Sequence, residues 1–126
     1  MIRKGASPPP DSYLSIVVVG ELKAFALKRH WGLIKRQQLD QLLTTLPILD
    51  LDTRITDVYA TVDAYSQGLL FEDPLPPGIS ARNMGKNDLW IAATAFHFDL
   101  ELQTTDNDFD HLLAIGLKLN KIGFPR

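Results

Sequence analysis

Asn83-Met84-Gly85-Lys86-Asn87-Asp88-Leu89-Trp90-Ile91-Ala92-Ala93-Thr94-Ala95 is the stretch on which the fold turns. It reads as a glycine-containing loop, an Asn-Asp helix start and a helix of small apolar residues. Asn87 or Asp88 can cap the free amides of the first turn. Leu89, Ala92, Ala93 and Phe96 recur at the spacing of a buried helix face. Ala92, Ala93 and Ala95 let such a helix lie close against a sheet. A carboxylate at the positive end of this helix is either a cap or a metal ligand. The two roles point to different proteins.

Upstream, Leu14-Ser15-Ile16-Val17-Val18-Val19 is a β-branched run and predicts a strand buried on both faces. Gly20 and Glu21 follow it, then a helix over 22–30 with Leu22, Phe25 and Ala26 on one side. Gly32 separates that helix from a second over 33–45, striped by Leu39, Leu42, Leu43 and Leu46. Residues 47–51 read as a short strand. A third helix faces inward through Ile55, Val58, Tyr59, Val62, Tyr65 and Leu69. The proline-rich segment 71–82 is a loop.

Downstream of the opening stretch, residues 100–104 alternate as a strand. Thr105-Asp106-Asn107-Asp108-Phe109-Asp110 is a turn that opens a helix through Leu112 and Leu113. Residues 118–122 read as a last edge strand. Strands alternate with helices throughout, so the expected class is α/β: a three-layer sandwich with a mostly parallel sheet. The basic, proline-bearing segment 1–12 reads as an extended, mobile lead-in that cannot itself be a central strand. The folded domain is expected over 13–126.

With 126 residues, 45% of them apolar, the chain can bury one domain core. A net charge of -2 excludes a basic nucleic-acid coat but leaves room for a local basic patch. There is no cysteine, so disulfides and thiolate metal sites are excluded and a cytoplasmic setting is expected. No apolar run reaches the ~18 residues of a membrane span.

In an open parallel sheet the working crevice lies beyond the carboxyl ends of the strands. Glu21 follows the first predicted strand, Asp106 follows the third, and Asp88 opens the helix between. Gathered together, such carboxylates form an all-oxygen site that selects Mg²⁺ or Mn²⁺. Taken singly, Asp88 and Asp106 serve equally as helix caps, and Glu21 as a first-turn acid beside a helix dipole. Asp108 and Asp110 are by default a solvated acidic turn, with Asp108 a possible outer support. Trp31 and Trp90 are expected in the core, and the three histidines in ordinary packing or surface roles. Lys23, Lys28, Arg29, Lys35 and Arg36 are ordinarily a solvated face and alternatively a phosphate-steering patch. Arg82 and Lys86 flank the acids and are candidate phosphate contacts.

Three pieces together carry a family resemblance: Ser15-Ile16-Val17-Val18-Val19-Gly20-Glu21-Leu22, Asn87-Asp88-Leu89-Trp90-Ile91-Ala92-Ala93 and Thr104-Thr105-Asp106-Asn107-Asp108-Phe109. Over residues 13–122 the chain resembles the PIN domain, and within it the VapC-type toxin ribonucleases of toxin–antitoxin pairs. The resemblance implies a parallel sheet flanked by helices and a metal-dependent endoribonuclease. It implies Glu21, Asp88 and Asp106 as catalytic Mg²⁺ or Mn²⁺ ligands, with Asp108 and Thr104 around them. RNA is the implied substrate, with Arg82 and Lys86 contacting it, and an antitoxin protein is the implied partner.

One departure qualifies the match. The family's first, central strand ends in an aspartate, and this sequence shows no such strand; Asp11 precedes the strand that leads to Glu21. The expectation is therefore an impaired enzyme, or alternatively a degenerate module that binds protein or RNA without cutting. The gap in the sheet should be closed by direct pairing of its neighbours, by a segment swapped from a second copy, or by homodimer contacts. A receiver-type signalling module is a third reading, but it needs an acidic pair after the first strand, where Val19-Gly20-Glu21 supplies one acid.

Overall fold

The computed structural model describes the backbone of residues 2–3 and the whole of residues 12–122. In order these form β1 (Ile2–Arg3), β2 (Ser12–Ser15), α1 (Ile16–Lys28), α2 (Leu33–Thr45) and β3 (Ile48–Leu49). Then come α3 (Ile55–Ser66), α4 (Lys86–His97), β4 (Glu101–Thr104), a 3₁₀ turn over Asp110–Ile115, and β5 (Leu119–Lys121). The sheet order is β3-β2-β1-β4-β5. β2 runs parallel to β3, and β4 parallel to β5. Only β1 opposes its neighbours, so the α/β sandwich with a mostly parallel sheet stands.

The central position is filled from within the chain. Ile2 pairs with Tyr13 on one side and Leu102 on the other, antiparallel to both. This corrects the expectation that the lead-in cannot be a central strand. Its prolines lie at positions 8–10, beyond the two residues that pair, so the ladder meets no missing amide. Direct pairing of β2 with β4 is likewise not how the sheet closes. Residues 4–11, expected to be mobile and including Asp11, lie outside the described residues.

The second correction concerns the valine run. The strand ends at Ser15, and Ile16 to Val19 are already helical. Ser15 is the N-cap: its hydroxyl accepts a hydrogen bond from the Val17 amide at 3.1 Å. That bond satisfies one of the free donors of the first turn, which outweighs the β preference of three valines. The helix then buries Val19 and Ala26 while Gly20 and Glu21 face solvent. Glu21 is therefore well inside a helix rather than at the end of a strand.

Two apolar clusters cover the sheet's two faces. Leu14 packs with Val19 and Leu46, beneath α1 and α2. Tyr13, the preceding residue on β2, packs into the main core with Val62, Leu89, Ala92, Leu102, Phe109 and Leu112. Successive strand side chains point to opposite faces, so β2 contributes to both layers. Ala92 and Ala93 have no exposed surface, and α4 touches α3, α1 and β4. The small side chains permit that close approach. Trp31 and Trp90 are half-buried rather than core residues; Trp90 stacks on Tyr59 with ring centres 4.2 Å apart. Leu69 lies past α3 and is exposed.

Candidate metal centre

Asp88 lies in the first turn of α4, and the helix begins two residues before it. The N-cap is Gly85, and no side chain caps this end. Neither Asn87 nor Asp88 is thus occupied as a cap. Asp88 is half-buried, and burial holds its carboxyl above the usual carboxylate range. The negative charges of Asp106, Asp108 and Glu21 push it in the same direction. All three acids are therefore electrostatic neighbours of one carboxylate.

Asp106 is presented by a tight turn after β4. Its amide donates to Thr104 Oγ1 at 3.0 Å, and its own Oδ1 accepts from the Asp108 amide at 3.1 Å. These two bonds curl the chain so that the side chains of Asp106 and Asp108 come round to Asp88. One carboxylate oxygen from each of Asp88, Asp106 and Asp108 lies within 4.8 Å of the others. Asp106 begins no helix, and the 3₁₀ turn that follows has Phe109 before it with no side-chain cap. Phe109 itself is buried and anchors the turn to the core.

Glu21 reaches the same region from α1. Asn87 Nδ2 donates to Glu21 Oε2 at 3.4 Å, which ties α1 to the start of α4. Glu21, Lys86 and Asp88 line one cleft. Glu21 is at the rim of that cleft and is not one of the three carboxylates that converge. Asp108, expected as an outer support, is the third carboxylate of the converging group. Arg82 and Asp108 line an adjoining cavity with Asp88, and the Arg82 amide donates to Ser66 O at 2.7 Å. Thr104 acts through the Asp106 amide.

Two supports of this centre have no local signature in the sequence. Lys121 on β5 donates to Asn107 Oδ1 and, at 2.8 Å, to Asp110 Oδ2. It clamps the loop that carries Asp106 and Asp108. Ser66, fully buried at the end of α3, lies 2.8 Å from His111 Nε2 and donates to Met84 Sδ at 3.3 Å. It joins the loop before α4 to the turn after β4. Burial and the Arg82 charge hold the His111 imidazole below its ordinary value. Both supports bridge segments far apart along the chain, so only the fold reveals them.

The donor set fits a hard divalent cation. It is all oxygen, it gathers like charges that a cation would relieve, and no thiolate or imidazole stands among the converging groups.

Comparison with known proteins follows this geometry. The family described as PIN domain matches residues 3–113. Among solved structures, one described as "Structure of FitAB bound to IR36 DNA fragment" is similar at 21% identity with a TM-score of 0.67. The match covers 86% of this chain and 71% of that one. Comparison with curated proteins finds no match.

Proposed function

This chain belongs to the PIN domain family, and from that premise we propose that it is a metal-dependent endoribonuclease of the VapC toxin type. The observation that carries the reading is the meeting of Asp88, on the first turn of α4, with Asp106 and Asp108, on the turn after β4. These three would hold Mg²⁺ or Mn²⁺, with Glu21 at the rim. When bound, such an ion supplies an ionised water near neutral pH and offsets charge on the phosphodiester.

The chain's own residues do the rest. Asp88, whose carboxyl is held above the usual carboxylate range by burial and by its acidic neighbours, would be one ligand of that cation. Asp106 and Asp108 are presented by their turn, whose loop Lys121 holds through Asn107 and Asp110. Arg82 and Lys86 flank the acids and take the phosphates on either side. A small antitoxin that covers the cleft rests on the resemblance to VapC-type toxins, and a cytoplasmic setting on the absence of cysteine. A homodimer stays part of the proposal although Ile2–Arg3 fill the gap that first suggested it. No helix among the described residues is long and apolar enough to cross a membrane.

A second reading, a module that binds without cutting, is favoured by one observation. The central strand of the sheet carries Ile2–Arg3, which bring no carboxylate to the site. Cleavage of a single-stranded RNA with Mn²⁺ separates the two. The nuclease reading expects wild type to cut and Asp88→Asn to lose at least about two orders of magnitude in rate. Equal cleavage by both rejects the site; no cleavage by wild type favours the binding module.

A further inference from the structure

The elbow between α1 and α2 carries three cations and two aromatic rings in one connected arrangement. Phe25 and Trp31 meet edge to face, with ring centres 5.7 Å apart at 85°. The Arg29 guanidinium lies 5.2 Å from the Phe25 ring centre, and Lys35 Nζ lies 5.6 Å from that of Trp31. Among the described residues, none of Lys28, Arg29 and Lys35 forms an ion pair with a carboxylate. A ring beneath a cation fixes where the charge sits while leaving its N–H groups free for an incoming anion.

A groove of about 600 Å³ runs from this elbow toward the acids. Phe25 and Lys28 line its outer end, and Glu21 and Asn87 its inner end. Glu21 and Asn87 also line the next cleft, which contains Asp88. Asp88 in turn opens onto the cavity that holds Arg82 and Asp108. Adjoining clefts that share Glu21, Asn87 and Asp88 thus lie between the Phe25–Lys28 end of the elbow and the carboxylate centre.

We propose that this elbow is a holding site for the phosphate backbone of single-stranded RNA entering the groove. Lys28, Arg29 and Lys35 contact phosphates, and Phe25 and Trp31 keep the last two cations aligned. A phosphate backbone is anionic along its whole length, so the three cations at this end of the groove suit it. Phe25 is 45% exposed although it lies in a helix with a covered face. Its outward position is accounted for by the cation it supports and the groove it borders. The substrate class rests on the nuclease reading above, but the test does not, because binding is read without metal and without cleavage.

The experiment is fluorescence anisotropy of a short labelled oligouridylate in EDTA across a salt series, with wild type, R29Q/K35Q, R29K/K35R and F25L/W31L. Each phosphate contact to single-stranded nucleic acid contributes about 0.7 to the slope of log affinity against log salt. R29Q/K35Q should therefore lower the slope by about 1.4 and weaken binding on the order of tenfold. R29K/K35R should keep the slope, and F25L/W31L should weaken binding while keeping most of it. Mn²⁺-induced shifts in melting temperature should be the same in all four, which separates the elbow from the metal centre. An unchanged slope in R29Q/K35Q, or no RNA binding by wild type, overturns the proposal. So does a variant that keeps RNA binding yet loses an acidic protein partner, since the face would then belong to that partner.

Discussion

A carboxylate oxygen of Asp88, on the first turn of α4, lies within 4.8 Å of one from Asp106, in the turn after β4. Neither side chain caps a helix, and the two are carried by different elements of one core. Groups of like charge held this close destabilise one another when both are ionised. The arrangement is a strain on the metal-free protein that a cation would remove.

That strain fixes the sign of a stability change. Asp88 has its folded-state pKa raised above the usual 3.8, first by burial and then by its acidic neighbours. A raised carboxyl contributes stability below the unfolded value and loses it as pH rises through the folded one. At neutral pH, Asp88→Asn should therefore stabilise the metal-free protein, by a few tenths to about 1 kcal/mol for a solvent-screened cluster. The gain should vanish as pH falls toward 3.8 and below. Thermal melts in EDTA at neutral and acid pH check this; a less stable variant at neutral pH would contradict it.

His111 gives the opposite sign. Its imidazole is buried and its folded-state pKa is lowered from 6.5, by burial and by the Arg82 charge. Its contribution is present above 6.5 and lost as pH falls through the lowered value. Melting temperature should drop on acidification below about 6.5, and His111→Gln should flatten that drop. A pH profile identical in wild type and variant would count against it.

Ser15 decides where strand gives way to helix. Ser15→Ala removes the bond to the Val17 amide at a fully buried position and should destabilise by about 0.5–2 kcal/mol. Ser15→Asn should retain part of the cap. Urea denaturation of both variants checks the prediction, and equal losses would argue that burial rather than capping matters there.

Ala92 tests the close approach of α4. It has no exposed surface and packs with Leu89, Leu102 and Leu112. Ala92→Leu should destabilise by about 1–3 kcal/mol through overpacking. It should also weaken Mn²⁺ binding, because Asp88 rides on the displaced helix. Unchanged stability would mean that the helix is free to shift.

Much of this was legible locally. The α4 stretch announces itself by apolar period and small residues, and α2 falls over residues 33–45 as its leucine spacing predicts. The convergence of Asp88 and Asp106 follows from strand-end placement in a parallel sheet. The valine run misleads because its fate is set by one serine hydroxyl, and propensity is weaker than a satisfied cap. Asp108 reads as a solvated acid because its orientation depends on the Asp106 Oδ1 bond. Ile2–Arg3 as a central strand depends on two partners distant in sequence. No local pattern encodes such a pairing.

The most direct test of the central claim is calorimetric titration of Mn²⁺ into the metal-free protein, with Asp88→Asn, Asp106→Asn and Asp108→Asn alongside. The account predicts one site in wild type, with affinity reduced at least about tenfold in each variant and proton release that grows as pH approaches the raised Asp88 value. Binding of equal strength in wild type and all three variants, or no binding in wild type, would contradict it.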